Sequence, residues 1–552
     1  MKDSLNFYHP TERPWPNPLL TRTSIVGHTT PTTVRLWFRV SSPGDYCLVV
    51  AKNPLPTDGV PVIHTISEDS ETLFFATADN TEEISIIKLC HLTFDCQQDL
   101  IQVVDLVSLE PNCRYYYGLF KDNGENSWSW ELGHDDILSF QTFPDRATSE
   151  LTFGIYSCHM PYKEKKLVNM ELWESFDREL CDGEARFIIG MGDQVYVDGN
   201  DHFNIWDWLK KVKHKKPAID DMLSWYRDIY RGYWGMPELQ RVLGRFPSYM
   251  IWDDHEIFDG WGSYTEAELS AQVSNSWRLE NPKENIRLAG EMFQAATQVY
   301  QEYQHSHNPP GDETAENPLN QFDYSFNYGD YAFYVLDMRG HRDLNREEFR
   351  VLGLQQWHRF EAWVKAQYRL NSQILFVVSP GPVVHLDNLV VNILDIPYLR
   401  DTDDLRDHWE HRYHWKERNH VLEVLFKFSQ TTKRPVIFLS GDVHLGATFE
   451  LSHPSFPEAK VFQLTSTPIT YTKLTDIKRA ILANMVKEEG ELGDEYGNIA
   501  YQFKNLHVCD QNNFGLVRVN STETGEVSVT FDLFSKTQEE NATIEKNSIK
   551  LF

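Results

Sequence analysis

The sequence predicts an α/β chain, with helices packed on mixed sheets, preceded by an all-β sandwich. Three observations carry that prediction. After Phe143, short apolar runs alternate with stretches of helical spacing, the texture of strand–helix units. Before it, residues alternate with period two between turn signals. Several apolar runs also end abruptly in acids, thiols or imidazoles, as strands do at the ligand-binding edge of open α/β sheets.

A chain of 552 residues has a prior of about three to four domains, and one large domain with insertions also fits. Apolar content of 41% and aromatic content of 13% suffice for a sizeable core. The net charge of -29, from 81 acids against 52 bases, argues against a nucleic-acid partner, which needs clustered Lys and Arg. The basic cluster Lys210 to Lys216 reads as a solvated face. No apolar leader opens the sequence and no stretch approaches the ~20 apolar residues of a membrane span. Seven cysteines without framework spacing point to reduced thiols and a cytoplasmic protein.

Residues 1–24 read as an extended lead-in and 25–145 as the sandwich, where Val34, Leu36, Phe38 and Val40 alternate with Arg35, Trp37 and Arg39. The Leu-x-Pro-x-x-x-Tyr-x-Tyr texture from Leu109 to Tyr117 is similar to a fibronectin type III domain. Strand–helix alternation follows over 146–535, interrupted by insertions at 201–247, 264–325 and 385–434, and 536–552 reads as a C-terminal tail. The strands expected there are Leu151 to Tyr156, Phe187 to Met191, Tyr249 to Trp252, Tyr331 to Leu336, Ile374 to Val378 and Pro435 to Leu439.

Four of these strands end in candidate ligands: Cys158; Asp193 with Tyr196; Asp254 and His255; Asp442 and His444. A fifth presents Arg339. Carboxylates, a thiol, a phenol and imidazoles gathered at strand ends suit metal binding.

The ordered segments Ser157-Cys158, Gly192-Asp193-Gln194-Val195-Tyr196, Trp252-Asp253-Asp254-His255-Glu256, Leu336-Asp337-Met338-Arg339 and Ser440-Gly441-Asp442-Val443-His444 resemble the alkaline phosphatase D (PhoD-like) family. That family belongs to the calcineurin-like metallophosphoesterases, related to purple acid phosphatases. The resemblance runs from about residue 25 to 535 and implies a four-layer α+β metallophosphoesterase sandwich. By position, Cys158, Asp193, Tyr196 and His444 would hold one metal, and Asp193 would bridge to a second held by Asp254 and Asp442. Thiolate, phenolate and imidazole suit Fe(III); carboxylates suit Ca(II), or Mg(II) or Mn(II). The implied reaction is hydrolysis of a phosphate ester by metal-activated water attacking phosphorus in line. His255 would act in catalysis, and Arg339 with Arg342 would bind phosphate oxygens.

One departure concerns the histidine that related enzymes supply to the second metal. Here Val378-Ser379-Pro380-Gly381 carries no imidazole, and Asp442 replaces the first histidine of the usual Gly-His-x-His, so Zn(II) is not expected there. His159 should point away from the site. His408, His411 and His414 share a helical face that reads as solvated, with a third metal site as the alternative; Cys181 and Cys509 read as buried thiols. Other readings stay open: a phosphodiesterase or phospholipase D-like enzyme on lipid, polymer or nucleotide diesters, and a non-catalytic binding protein on a degenerate fold.

Overall fold

A computed structural model describes residues 20–552 except 58–59, 68–69, 77–80, 85, 126, 147, 164–165, 200–203, 213–218, 278–280, 312–320, 386–405, 472–485, 495, 497–498, 523–525 and 538–542. Most of the expected lead-in at 1–24, and part of the basic cluster Lys210 to Lys216, lie outside the described residues.

From Thr23 to Gln141 the described elements are strands, apart from one 3-10 turn at Cys96–Gln98. A three-stranded sheet of Thr23–Thr29, Val34–Arg39 and Ile101–Leu106 faces a larger one containing Gly44–Ala51, Ile86–Phe94 and Arg114–Asp122. Val34, Leu36 and Phe38 enter the core between them with Leu48, Val50, Tyr117 and Leu119, as the alternation predicts. The opposite face is covered as well. Trp37 is fully buried, its indole N–H donating to the Glu302 carbonyl at 2.7 Å. Arg39, Arg231 and the Tyr303 hydroxyl converge on Asp99. Burial would raise that carboxyl, but Arg231 and Arg39 outweigh it and hold Asp99 below the usual range.

The second part is built on two sheets. Its strands are β1 (Glu150–Tyr156), β2 (Ile188–Met191), β3 (Ser248–Ile251), β4 (Tyr324–Tyr328), β5 (Tyr331–Val335), β6 (Ile374–Ser379) and β7 (Val436–Ser440). They continue with β8 (Gly446–Ser452), β9 (Val461–Thr465), β10 (Glu489–Gly493), β11 (Ile499–Cys509), β12 (Asn512–Ser521), β13 (Val527–Lys536) and β14 (Glu545–Lys550). One sheet has the order β3-β2-β1-β12-β13-β14, the other β4-β5-β6-β7-β9-β8-β11-β10. Within them β1, β2 and β3 run parallel, as do β5, β6, β7 and β9.

The sheets bury their facing sides together, Phe153 meeting Phe333 and Phe376 edge-on at 5.5 and 5.3 Å. On the outer side of the second sheet, Tyr334, Leu375, Val377 and Phe438 pack with α7 (Gly353–Gln367) and α8 (Trp415–Thr432). On the outer side of the first, α1 (Glu171–Asp182) sets Phe176 against Phe514 of β12 at 5.0 Å. The layers are therefore helix, sheet, sheet, helix.

The insertions at 201–247 and 264–325 are helical, with α2 (Ile205–Val212), α3 (Ile219–Trp234) and α4 (Pro237–Leu243) in the first and α5 (Glu266–Trp277) and α6 (Pro282–Tyr303) in the second. Their aromatics pack inward; Tyr300 of α6 stacks on Trp252 at 4.3 Å. The expected tail at 536–552 is instead partly an edge strand, β14, paired antiparallel with β13. Its charged, weakly apolar sequence hides the strand, because exposed edges are kept polar. Among the described residues no helix is long and apolar enough to cross a membrane.

Candidate metal centre

Loops leaving the parallel strands of both sheets meet at one edge. Cys158 follows β1, Asp193 follows β2, Asp253 follows β3, and Asp442 and His444 follow β7. Backbone bonds tie neighbouring loops within each sheet, His159 N–H to the Asp193 carbonyl and Gly441 N–H to the Pro380 carbonyl, both at 2.8 Å, and Ile469 N–H to the Ser157 carbonyl at 2.9 Å crosses between the sheets. Cys158, Asp193, Asp442 and His444 all have positive φ, at 54°, 55°, 67° and 56°. Each such residue costs about 1–3 kcal/mol, so their concentration at one site shows side chains aimed by the surrounding packing. Close approach matters too: a Cβ on Gly441 would fall 2.4 Å from Ser157 Oγ.

The first expected ligand set comes together. Cys158 Sγ lies 3.3 Å from Asp193 Oδ2, which also accepts the Tyr196 hydroxyl at 3.1 Å. The Tyr196 oxygen is 3.3 Å from His444 Nε2, and the His444 ring stacks on Tyr471 at 3.7 Å. Cys158, Asp193 and His444 offer donor atoms within 4.8 Å of one another.

The second set is only partly as expected. Asp442 does join Asp193, but the acid completing that trio within 4.8 Å is Asp253. Asp254 groups with Asp193 and His255, and its Oδ2 accepts the Gly260 N–H at 2.6 Å. Nothing in an Asp-Asp pair tells which carboxylate reaches where. A 3-10 turn at Asp254–Glu256 begins between the two and divides them.

Asp193 Oδ1, Asp253 Oδ2 and Asp442 Oδ2 are buried without a hydrogen-bond partner. Such orphaned acceptors are costly, and a cation is what would satisfy them together. Burial pushes the Cys158 thiol and the Asp193 and Asp253 carboxyls well above their usual ranges, and neighbouring carboxylates add to the effect. A bound cation reverses that logic by favouring the anionic forms. The residues present therefore fit metal ions.

Sequence reasoning missed two supporting acids. Glu256 accepts the backbone N–H groups of Asp193, Gln194 and Asp253 at 3.2, 2.7 and 2.9 Å, pinning two loops to one carboxylate. Asp198 Oδ1 lies 2.6 Å from His255 Nδ1. Burial would lower His255, but Asp198, Asp254 and Asp193 lift it well above the usual imidazole range. The Asp253-x-x-Glu256 spacing of a capping box is the signal that could have found Glu256, whereas Asp198 acts across loops beyond any spacing rule.

Arg339 and Arg342, expected on phosphate, are otherwise engaged. Both are buried. Arg339 pairs with Asp253 and makes a bidentate pair with Asp407, at 2.8 and 2.6 Å. Arg342 bonds Ser263 Oγ at 3.0 Å and the Asp407 carbonyl at 2.7 Å. The resemblance places the Arg339 guanidinium on phosphate, but here Asp253 and Asp407 occupy it.

The histidines before α8 also depart from expectation. His408, His411 and His414 lie in turns rather than on a helix, and His411 and His414 are fully buried. His408 Nε2 stands 3.4 Å from Asp442 Oδ2. His159 is held by Thr470 Oγ1 at 2.8 Å and Trp173 Nε1 at 3.2 Å, in neither ligand group. Cys509 is buried as expected, whereas Cys181 is exposed because it lies on the outer side of α1.

Paired sheets with acidic, thiol and imidazole groups gathered at one edge form a candidate metal centre. The family model for PhoD-like phosphatases matches residues 153–531, and the chain belongs to that family. Among solved structures, that of PhoD aligns over 97% of this chain and 91% of its own, with a TM-score of 0.61 at 16% identity. The purple acid phosphatase PPD1 from seeds of yellow lupin, Lupinus luteus, aligns over 96% of this chain and 74% of its own, with a TM-score of 0.50 at 11% identity. At these identities the structures speak for the fold. No curated protein sequence matches.

Proposed function

We propose that the chain hydrolyses phosphoric esters at a pair of metal ions, one held by Cys158, Asp193, Tyr196 and His444, the other by Asp193, Asp253, Asp254 and Asp442. The observation that carries this reading is the convergence of Asp193, Asp253 and Asp442, each with a buried carboxylate oxygen that has no well-formed hydrogen bond. Thiolate, phenolate and imidazole favour Fe(III) at the first position, and carboxylates favour Ca(II), Mg(II) or Mn(II) at the second. When bound, such ions lower the pKa of water and neutralise phosphoryl charge.

The chain's own groups supply the rest. Asp198 engages His255 Nδ1, which leaves Nε2 to carry a proton to the leaving alcohol. Glu256 keeps the Asp193 and Asp253 loops in register, and Arg339 fixes Asp253 from behind. Arg342 acts through Asp407 rather than on substrate.

Elemental analysis of chelator-free protein, beside hydrolysis of p-nitrophenyl phosphate and bis-p-nitrophenyl phosphate, tests the reading. Iron with a second metal and turnover of either ester is expected, and the faster ester identifies a mono- or diesterase. Absence of metal and of turnover would overturn it.

A further inference from the structure

Strand β6 delivers no imidazole to the second cluster: it ends in Ser379, followed by Pro380 and Gly381. A histidine nevertheless stands beside one member of that cluster, Asp442. His408 reaches Asp442 from the turn preceding α8, its Nε2 3.4 Å from Asp442 Oδ2, an oxygen with no well-formed hydrogen bond.

Both neighbours of His408 in the chain are locked. On one side Asp407 is gripped by Arg339 and Ser263. On the other, Trp409 is fully buried and its indole N–H donates to Ser379 Oγ at 3.1 Å, on the very strand end that lacks a ligand. Ser379 Oγ in turn donates to the Gly381 carbonyl at 2.6 Å, which ties the turn to the loop after β6. The imidazole is thus held by packing on both flanks, the pre-organisation expected of a ligand rather than of a mobile counter-ion. His385, also buried, sets its ring perpendicular to that of His408 with centroids 6.0 Å apart.

We propose that His408 is a nitrogen ligand of the second metal ion, supplying from a distant turn the imidazole absent from β6. The proposal rests on reading the Asp193–Asp253–Asp442 cluster as a metal site. It also changes the ion that site prefers. Oxygen donors alone suit Ca(II), whereas one nitrogen among them favours Mn(II) or Zn(II).

The test titrates Mn(II), Zn(II) and Ca(II) separately into chelator-treated full-length protein, its His408→Gln variant and an Asp442→Asn control. Pulsed electron paramagnetic resonance of bound Mn(II) is recorded with natural and ¹⁵N-histidine-labelled protein. Mn(II) and Zn(II) should bind His408→Gln about tenfold more weakly or worse, with Ca(II) affinity nearly unchanged. The variant should also lose a histidine nitrogen coupling that the parent shows. Asp442→Asn should bind all three ions weakly.

Equal affinities and couplings in parent and His408→Gln would overturn the proposal and leave His408 as a counter-ion of Asp442, with the metal site intact. Should that variant fail to fold, a His444→Gln protein decides, because the first site then offers no imidazole: a histidine coupling to Mn(II) supports His408 and its absence overturns the proposal. If the parent binds none of the ions and contains no metal as purified, the metal-site reading falls as well.

Discussion

His255 Nδ1 and Asp198 Oδ1 are 2.6 Å apart, and the other Asp198 oxygen accepts the Asp259 N–H at 2.6 Å. The carboxylate is therefore fixed at both oxygens, and it fixes the imidazole next to Asp254. The proton-donating role proposed for His255 has a specific kinetic signature. His255→Ala should lower kcat by about 10²–10⁴ for alkyl phosphates. The loss should shrink for p-nitrophenyl esters, whose leaving group needs no proton. Asp198→Asn should move kcat in the same direction with metal content unchanged.

Asp193 touches every ligand group, so Asp193→Asn should abolish both metal retention and turnover. Elemental analysis and ester hydrolysis on the same preparation check this. Full activity in the variant would sink the two-metal scheme.

Arg339→Ala should act on stability and metal affinity, not primarily on substrate binding. Removing the guanidinium leaves Asp407 and Asp253 buried without their partner, a loss of about 3–5 kcal/mol, read from the urea midpoint. A folded, metal-replete variant whose only defect is a raised KM would restore the arginine to the phosphate.

Gly441→Ala should weaken metal binding although Gly441 offers no ligand. Its new methyl would meet Ser157 Oγ and the Met191 carbonyl, at 2.4 and 2.8 Å. Overpacking of this kind costs about 1–3 kcal/mol. Titration calorimetry should show affinity falling more than the melting temperature does, because the displaced residue is Asp442.

Acid should destabilise the fold through histidines outside the metal groups. Burial lowers His159 and His307 from 6.5 to about 3. The unfolded chain takes up protons below pH 6.5 that the folded chain refuses, so this stability is complete above 6.5. It is lost as pH falls toward 3, at up to about 1.4 kcal/mol per unit per group. Urea midpoints between pH 7 and 5 should fall, and His307→Gln should flatten the slope.

The two-sheet part and the individual donors Cys158, Asp193, Tyr196 and His444 stand out because a strand end is a local feature, where an apolar run stops and a polar group follows; their grouping as one set is what the PhoD-like resemblance implies. What escaped was non-local or depended on backbone angle. Asp253 and Asp254 are indistinguishable until the 3-10 turn divides them. His408 lies far from Asp442 in sequence, and periodicity assigned it to a helix that begins only at Trp415. Arg339 was recognised but misplaced, since no pattern foretells that Asp253 and Asp407 will claim its guanidinium.

Asp99 belongs to the N-terminal sheets, yet the guanidinium of Arg231 closes on it from α3 and the hydroxyl of Tyr303 from α6. A chain begun after the sandwich would take Asp99 from that guanidinium and would strip Trp37 from the end of α6. The two parts are thus not beads on a string. Heating should melt them in one cooperative transition, and neither is a module that can be exchanged without the other.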